Sequence, residues 1–184
     1  MFCGALQSLK MINLKLCWFS VNDVRFSPQG TMLATASSDG STVLWDVLTG
    51  QKLSSFIQPS RLGVRVVCFS PDASLLLTGG DDESACVWDI ATGILKLSYS
   101  TENATIFSAV FTPDGDHVVT GDANGDLLLW SLGNTKQLMN IEGAHDLGVM
   151  SIDICVFGVD EDNWEGASSI QNDFRIATGG NDDR

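Results

Sequence analysis

The sequence predicts an all-β protein assembled from repeated four-stranded units, and three observations predict it. Phe26-Ser27-Pro28 recurs as Phe69-Ser70-Pro71 and as Phe111-Thr112-Pro113, with the phenylalanines 43 and 42 residues apart. Trp45-Asp46 recurs as Trp88-Asp89 and as Trp130-Ser131 at the same two spacings, so Phe and Trp stand 19 residues apart in every copy. Between these marks lie short runs rich in β-branched residues, bounded by Gly, Pro, Asp and Asn, as expected of strands joined by tight turns. A period of this length implies one supersecondary unit per copy, stacked on its neighbours.

The second copy shows the plan. Val64–Phe69 reads as a first strand, ended by the turn signal Ser70-Pro71-Asp72. Leu75–Thr78 is the second strand, and Gly79-Gly80-Asp81-Asp82 turns the backbone. Ala85–Trp88 is the third; Asp89-Ile90-Ala91-Thr92-Gly93 turns again, and Ile94–Leu97 is the fourth. The other copies follow, with Ser38-Asp39-Gly40 and Ala123-Asn124-Gly125 as hairpin turns, where Gly and Asn tolerate positive φ. The copies fall at about 21–60, 61–102 and 103–142, with an incomplete fourth at 143–184, and residues 1–20 match no copy.

The fourth copy enters as Val149-Met150-Ser151-Ile152-Asp153-Ile154, with Ile154 in the Phe place. Thr35, Thr78 and Thr120 each follow their Phe by 9 residues, but Thr178 follows Ile154 by 24. An insertion of 15 residues is therefore expected within 156–174, including a solvated acidic loop at Asp160–Gly166. A fourth Trp would fall at position 188, past Arg184. The expectation is a partial assembly of three whole units and an incomplete fourth, belonging to a larger one.

A repeat of this length with Phe-Ser-Pro early and Trp-Asp late resembles the WD-repeat β-propeller family, whose blades are four-stranded sheets set around a channel. Ser38 to Trp45, Gln58-Pro59-Ser60, Val64-Arg65-Val66, Ala144 to Gly148 and Phe174 to Ala177 are similar to propellers of WD-repeat proteins that also carry a sterile alpha motif and a U-box. The family resemblance implies a blade-locking network of His, Ser or Thr, Asp and Trp. It maps the Asp onto Asp39, Asp82, Asn124 and Asp182, the Trp-Asp pairs onto Trp45-Asp46 and Trp88-Asp89, the third Trp onto Trp130, and the His onto His145 alone. Cys17, Ser60 and Glu102 hold the equivalent places, so apolar packing is expected to replace the network in the other blades.

The resemblance also implies a non-catalytic scaffold that binds protein partners on the face made by loops entering each first strand. The residue after the apolar opener of that strand is Asn22, Arg65, Phe107 or Met150, with Arg61, Asp146 and Leu147 bordering the same loops. The closer likeness implies substrate recognition for a U-box-type ubiquitin ligase whose sterile alpha motif and U-box lie outside this sequence. The alternative is an adaptor in another assembly, such as a cullin-type ligase receptor or a signalling scaffold. Family receptors of the cullin type often carry Arg two places after Trp-Asp, where Leu48 and Ala91 stand here.

Composition narrows the function classes. The 184 residues are 44% hydrophobic, which is globular, and carry 10 basic against 23 acidic side groups for a net charge of −13. That balance argues against nucleic-acid partners and against anionic membranes, both of which need clustered Lys and Arg. No apolar run reaches the roughly 18 residues of a membrane span, and the first 20 residues lack the organisation of a signal peptide. Five cysteines, an odd number without a C-x-x-C pair, read as reduced thiols, so the protein is expected inside the cell, in the cytoplasm with the nucleus left open.

Chemistry has few candidates. Two histidines leave little for metal binding or acid–base work, so neither a cofactor nor a metal is expected. His145 and Asp146 are neighbours, and on an extended backbone they point to opposite faces. His117 reads as a solvated loop residue. Asp122-Ala123-Asn124-Gly125-Asp126 spaces oxygens like a calcium loop but has Leu127 and Gly133 where that loop needs Gly and Glu. No convergent catalytic set is present, and the expectation is a protein without enzymatic activity.

Overall fold

The computed structural model describes residues 19–101, 104–134, 136–156 and 174–182. The described residues form strands only, in four antiparallel sheets. The first holds β1 (Val21–Phe26), β2 (Met32–Ser37), β3 (Ser41–Asp46) and β4 (Lys52–Ile57). The second holds β5 (Val64–Phe69), β6 (Leu75–Gly80), β7 (Ser84–Asp89) and β8 (Leu95–Ser100). The third holds β9 (Ile106–Phe111), β10 (His117–Asp122), β11 (Leu127–Ser131) and β12 (Gln137–Ile141). The last pairs β13 (Val149–Val156) with β14 (Phe174–Gly180). Strands neighbour one another in sequence order within each sheet, because short turns favour antiparallel hairpins.

The core lies between sheets. Val64, Val67, Phe69, Leu76, Cys86 and Trp88 of the second sheet rest on Ala34, Ala36, Leu44 and Phe56 of the first. The two alanines leave room for the large residues opposite, and Phe56 meets Trp88 with ring centroids 5.5 Å apart. The next interface repeats this with Ile106, Ala109, Phe111, Val118, Leu128 and Trp130 against Val66, Leu77, Ala85, Val87 and Tyr99. Tyr99 takes the place of Phe56, sits 5.2 Å from Trp130 and donates its hydroxyl to the Ser131 carbonyl at 3.1 Å. Val119 and Leu127 then meet Val149 and Ile152. Burying each large apolar residue of this kind contributes about 1.5–3 kcal/mol. The first strands β1, β5, β9 and β13 adjoin one another in series, while β12 is exposed along its whole length.

Among the described residues, the first sheet has a face with no such cover. Val21, Val24 and Phe26 are 41%, 46% and 61% exposed, where their register equivalents Val64, Val67 and Phe69 are 1%, 0% and 6% exposed.

Several local expectations need correction. The second strand of the second unit does not stop at Thr78 but runs through Gly79 and Gly80. These glycines serve close packing rather than a turn: a Cβ on Gly79 would meet Ile106 at 2.8 Å, and one on Gly80 would crowd the Val64 Cα at 3.0 Å. The fourth strand starts one residue later and runs to Ser100. His117 is no loop residue: it opens β10, and its Nδ1 stands 3.6 Å from Asp114. The N-terminal 18 residues, Glu102, Asn103 and the acidic loop at 160–166 lie outside the described residues.

Candidate functional site

Each first strand carries a β-bulge at its second residue. In the β1–β2 ladder Val21 pairs with Ser37 and Asp23 with Ala36, so Asn22 is skipped. Arg65, Phe107 and Met150 are skipped in the same way in the β5–β6, β9–β10 and β13–β14 ladders. A bulged residue is free of the ladder's alternation and its side chain is re-aimed. All four residues line one cavity of about 550 Å³, together with Asp23, Arg25, Ser108, Ser151 and Asn181 among others. The structure therefore brings together four of the sequence-predicted interaction residues, one from each sheet.

Polar contacts brace this mouth. Asn22 Nδ2 donates to the Val64 carbonyl at 2.7 Å and lies 3.0 Å from Ser38 Oγ, tying the first sheet to the second. Ser108 Oγ donates to the Val149 carbonyl at 2.8 Å and ties the third to the fourth. Asp23 accepts the Val67 amide at 3.1 Å. Arg65 Nε donates to Asp81 Oδ1 at 2.7 Å, while its guanidinium carbon lies 5.9 Å from the centre of the Phe107 ring. Arg25 Nε faces Asp23 at 3.4 Å.

Phe107 is half-buried, and a Cβ on Gly148 would stand 2.8 Å from its ring, so it packs on the incoming loop as well as lining the cavity. Met150 and Leu147 are exposed at 46% and 54%. Arg61 is exposed with φ +60°, and its backbone would lie 2.9 Å from a Cβ on Gly40, which fixes a glycine in that turn. The Asp146 amide donates to Asp182 Oδ2 at 2.6 Å. Arg61, Asp146 and Leu147 do not line the cavity itself but stand on the loops beside it.

The blade-locking positions hold a richer network than the sequence suggests. Trp45, Trp88 and Trp130 donate their indole N–H to Thr35, Thr78 and Thr120 at 3.1, 2.9 and 3.0 Å. In the second sheet Thr78 donates to Gln58 Oε1 at 3.1 Å, and Gln58 Nε2 donates to Asp82 Oδ1 at 3.3 Å. Ser60 Oγ adds a bond to Asp82 Oδ2 at 2.7 Å. In the fourth sheet His145 Nε2 lies 3.0 Å from Thr178 Oγ1 and Nδ1 lies 2.8 Å from Asp182 Oδ1. The expectation from sequence that apolar packing replaces the network therefore fails in the second sheet, where Gln58 supplies the relay, a residue that a fixed offset from β5 overlooks.

The remaining carboxylates hold turns. Asp39 accepts the Ser41 amide at 2.9 Å; burial pushes its carboxyl up, but the Ser41 and Ser37 bonds outweigh this and leave it low. Asp46 and Asp89 accept the amides and hydroxyls of Thr49 and Thr92. Ser131 takes that part in the third sheet, accepting the Gly133 amide at 3.2 Å. Asn124 donates its amide to Asp122 Oδ1 at 2.9 Å, so the turn carboxylate there is Asp122, which burial pushes up. Asp182 is also raised by burial, and the His145 bond and Asp146 amide lower it overall. Among the described residues, no three His, Cys, Asp or Glu residues converge as a metal site.

Serial four-stranded sheets stacked face to face, each with a Trp-to-Thr bond in the first three, define a WD-type repeat protein. The family described as WD domain, G-beta repeat matches residues 15–46, 50–89 and 94–131, and the chain belongs to it. Among curated proteins it is similar to WD repeat, SAM and U-box domain-containing protein 1 of Homo sapiens, 47% identical over 53 residues, which is 29% of this chain and 11% of that protein. It is also similar to the 77 kDa echinoderm microtubule-associated protein of Strongylocentrotus purpuratus, 37% identical over 79 residues, 43% of this chain and 9% of that one. The matched stretches thus span only about a tenth of either relative. The structures of U3-55K and of the RRP9 WD40 repeats superpose with a TM-score of 0.70 at 16% identity, over 78% of this chain and 46% of theirs, and show the fold.

Proposed function

We propose that the protein is a non-catalytic scaffold that reads a protein partner at the mouth lined by Asn22, Arg65, Phe107 and Met150. One observation carries this reading. The repeat is kept at the interior positions of each blade, yet the one bulged residue per sheet is polar, cationic, aromatic or thioether in turn, and all four face one cavity. Arg, aromatic residues and Met are enriched in interface centres. Arg61, Asp146 and Leu147 would form the rim.

The finer reading is substrate recognition for a U-box-type ubiquitin ligase. The 47% identity to a U-box protein over 53 residues supports it. The alternative, an adaptor in another assembly, is supported by the likeness to a microtubule-associated protein. The test is photocrosslinking in cells from a benzoylphenylalanine placed at Met150. A defined protein crosslinked from that position, and lost in Arg65→Ala or Phe107→Ala, is the expected result. Ubiquitin on the captured protein that depends on this scaffold favours the ligase reading; its absence favours the adaptor. Crosslinks unchanged by both substitutions would overturn the site.

A further inference from the structure

The cavity differs in charge from the protein around it. The whole sequence has a net charge of −13, yet the titratable residues lining the cavity are two arginines, Arg25 and Arg65, and one carboxylate, Asp23. Each arginine commits only Nε to a carboxylate, Arg65 to Asp81 and Arg25 to Asp23. Neither terminal Nη pair has an acceptor among the described residues. Arg65 is held by its Asp81 bond and by the Phe107 ring, so its fork is oriented before any ligand arrives. A guanidinium with open Nη groups matches the two oxygens of a carboxylate. Beside it stand Phe107 and the exposed Met150, which suit an apolar group.

We infer that the partner seats a carboxylate on the Nη groups of Arg65 and an adjacent apolar residue on Phe107 and Met150. This rests on the mouth being a protein-binding site. The carboxylate comes from an internal Asp or Glu or from the partner's own C-terminus. The acidic surface elsewhere repels such a segment at long range, so the attraction acts only within the cavity.

The test uses fluorescein-labelled octapeptide pools with random flanks, titrated by anisotropy against the whole 184-residue protein. One amidated pool has a fixed Leu-Glu-Leu centre. Two more replace its Glu by Gln or by Lys. A fourth carries Leu-Gln-Leu with a free C-terminal carboxylate. The Leu-Glu-Leu or the free-C-terminus pool is expected to bind roughly tenfold or more tightly than the Gln and Lys pools, and whichever binds identifies the carboxylate's source. Arg65→Gln should erase that preference, and Leu48→Ala, in the exposed β3–β4 turn, should keep it. Equal binding of the Glu, Gln and Lys pools, abolished by Phe107→Ala, would overturn the carboxylate while leaving the site. Binding by no pool would overturn both.

Discussion

Gln58 accepts a hydrogen bond from the Thr78 hydroxyl at 3.1 Å, and that hydroxyl in turn accepts the Trp88 indole N–H at 2.9 Å. The glutamine is 2% exposed and sits on the connection between sheets, so it joins the first blade's exit to the second blade's interior. It stands where His145 stands before the fourth sheet, reaching a threonine with one atom and an aspartate with the other.

Gln58→Ala should therefore destabilise the fold, because the buried Thr78 hydroxyl and the half-buried Asp82 carboxylate each lose a partner. The expected loss is about 1–3 kcal/mol in chemical denaturation. Gln58→His should recover part of it if the two connections are equivalent; no recovery would mean that the backbone paths differ too far for exchange.

Thr42 presents the opposite situation. Its hydroxyl is buried and has no hydrogen-bond partner among the described residues. Thr42→Val keeps the shape and removes the unsatisfied oxygen, so it should stabilise the fold by about 1 kcal/mol. An unchanged or lower melting temperature would show that the hydroxyl is satisfied in solution.

Phe26 and Phe69 occupy the same register but differ in cover, 61% exposed against 6%. Phe69→Ala should cost about 3–5 kcal/mol, as buried aromatic truncations do, and Phe26→Ala less than about 1 kcal/mol. Equal costs would mean that the first sheet's open face is covered in solution.

Acid should weaken the turns. Asp72 accepts the Ser70 hydroxyl at 2.6 Å and the Ser74 amide at 3.0 Å, and these bonds hold its carboxyl at about 2. A folded-state value below the unfolded one gives stability that is present above about pH 4 and lost as pH falls towards 2. Asp46, Asp89 and Asp114 shift the same way, whereas Asp122 is raised and opposes them. In a pH series of melting temperatures, Asp72→Asn should lie below the native protein at pH 7 and converge on it near pH 2. A constant gap would remove Asp72 from the acid response.

Much of this architecture was legible because its determinants repeat. Phe69, Trp88 and Thr78 each have a counterpart one period away, and one residue after each strand-opening apolar residue stands the bulge that lines the mouth. What failed was local. Gln58 precedes β5 by six residues, whereas His145 precedes β13 by four, so counting a fixed offset led to Ser60. Gly79-Gly80 read as a turn because glycine signals turns in general, while here it permits strands to approach. Asn124 matched the family position, but the oxygen that holds its turn belongs to Asp122, two residues earlier, and burial of that carboxylate leaves no mark in the sequence.

The bulges in the first strands carry one more implication. Since Asn22, Arg65, Phe107 and Met150 are skipped by the strand pairing, exchanging their side groups need not shift a single rung of any ladder. Asn22 also ties two sheets and Phe107 also packs on a loop. Recognition can therefore vary at least cost to foldability at the exposed Arg65 and Met150, and a new partner could be selected by randomising those two codons while the rest of the gene is held constant.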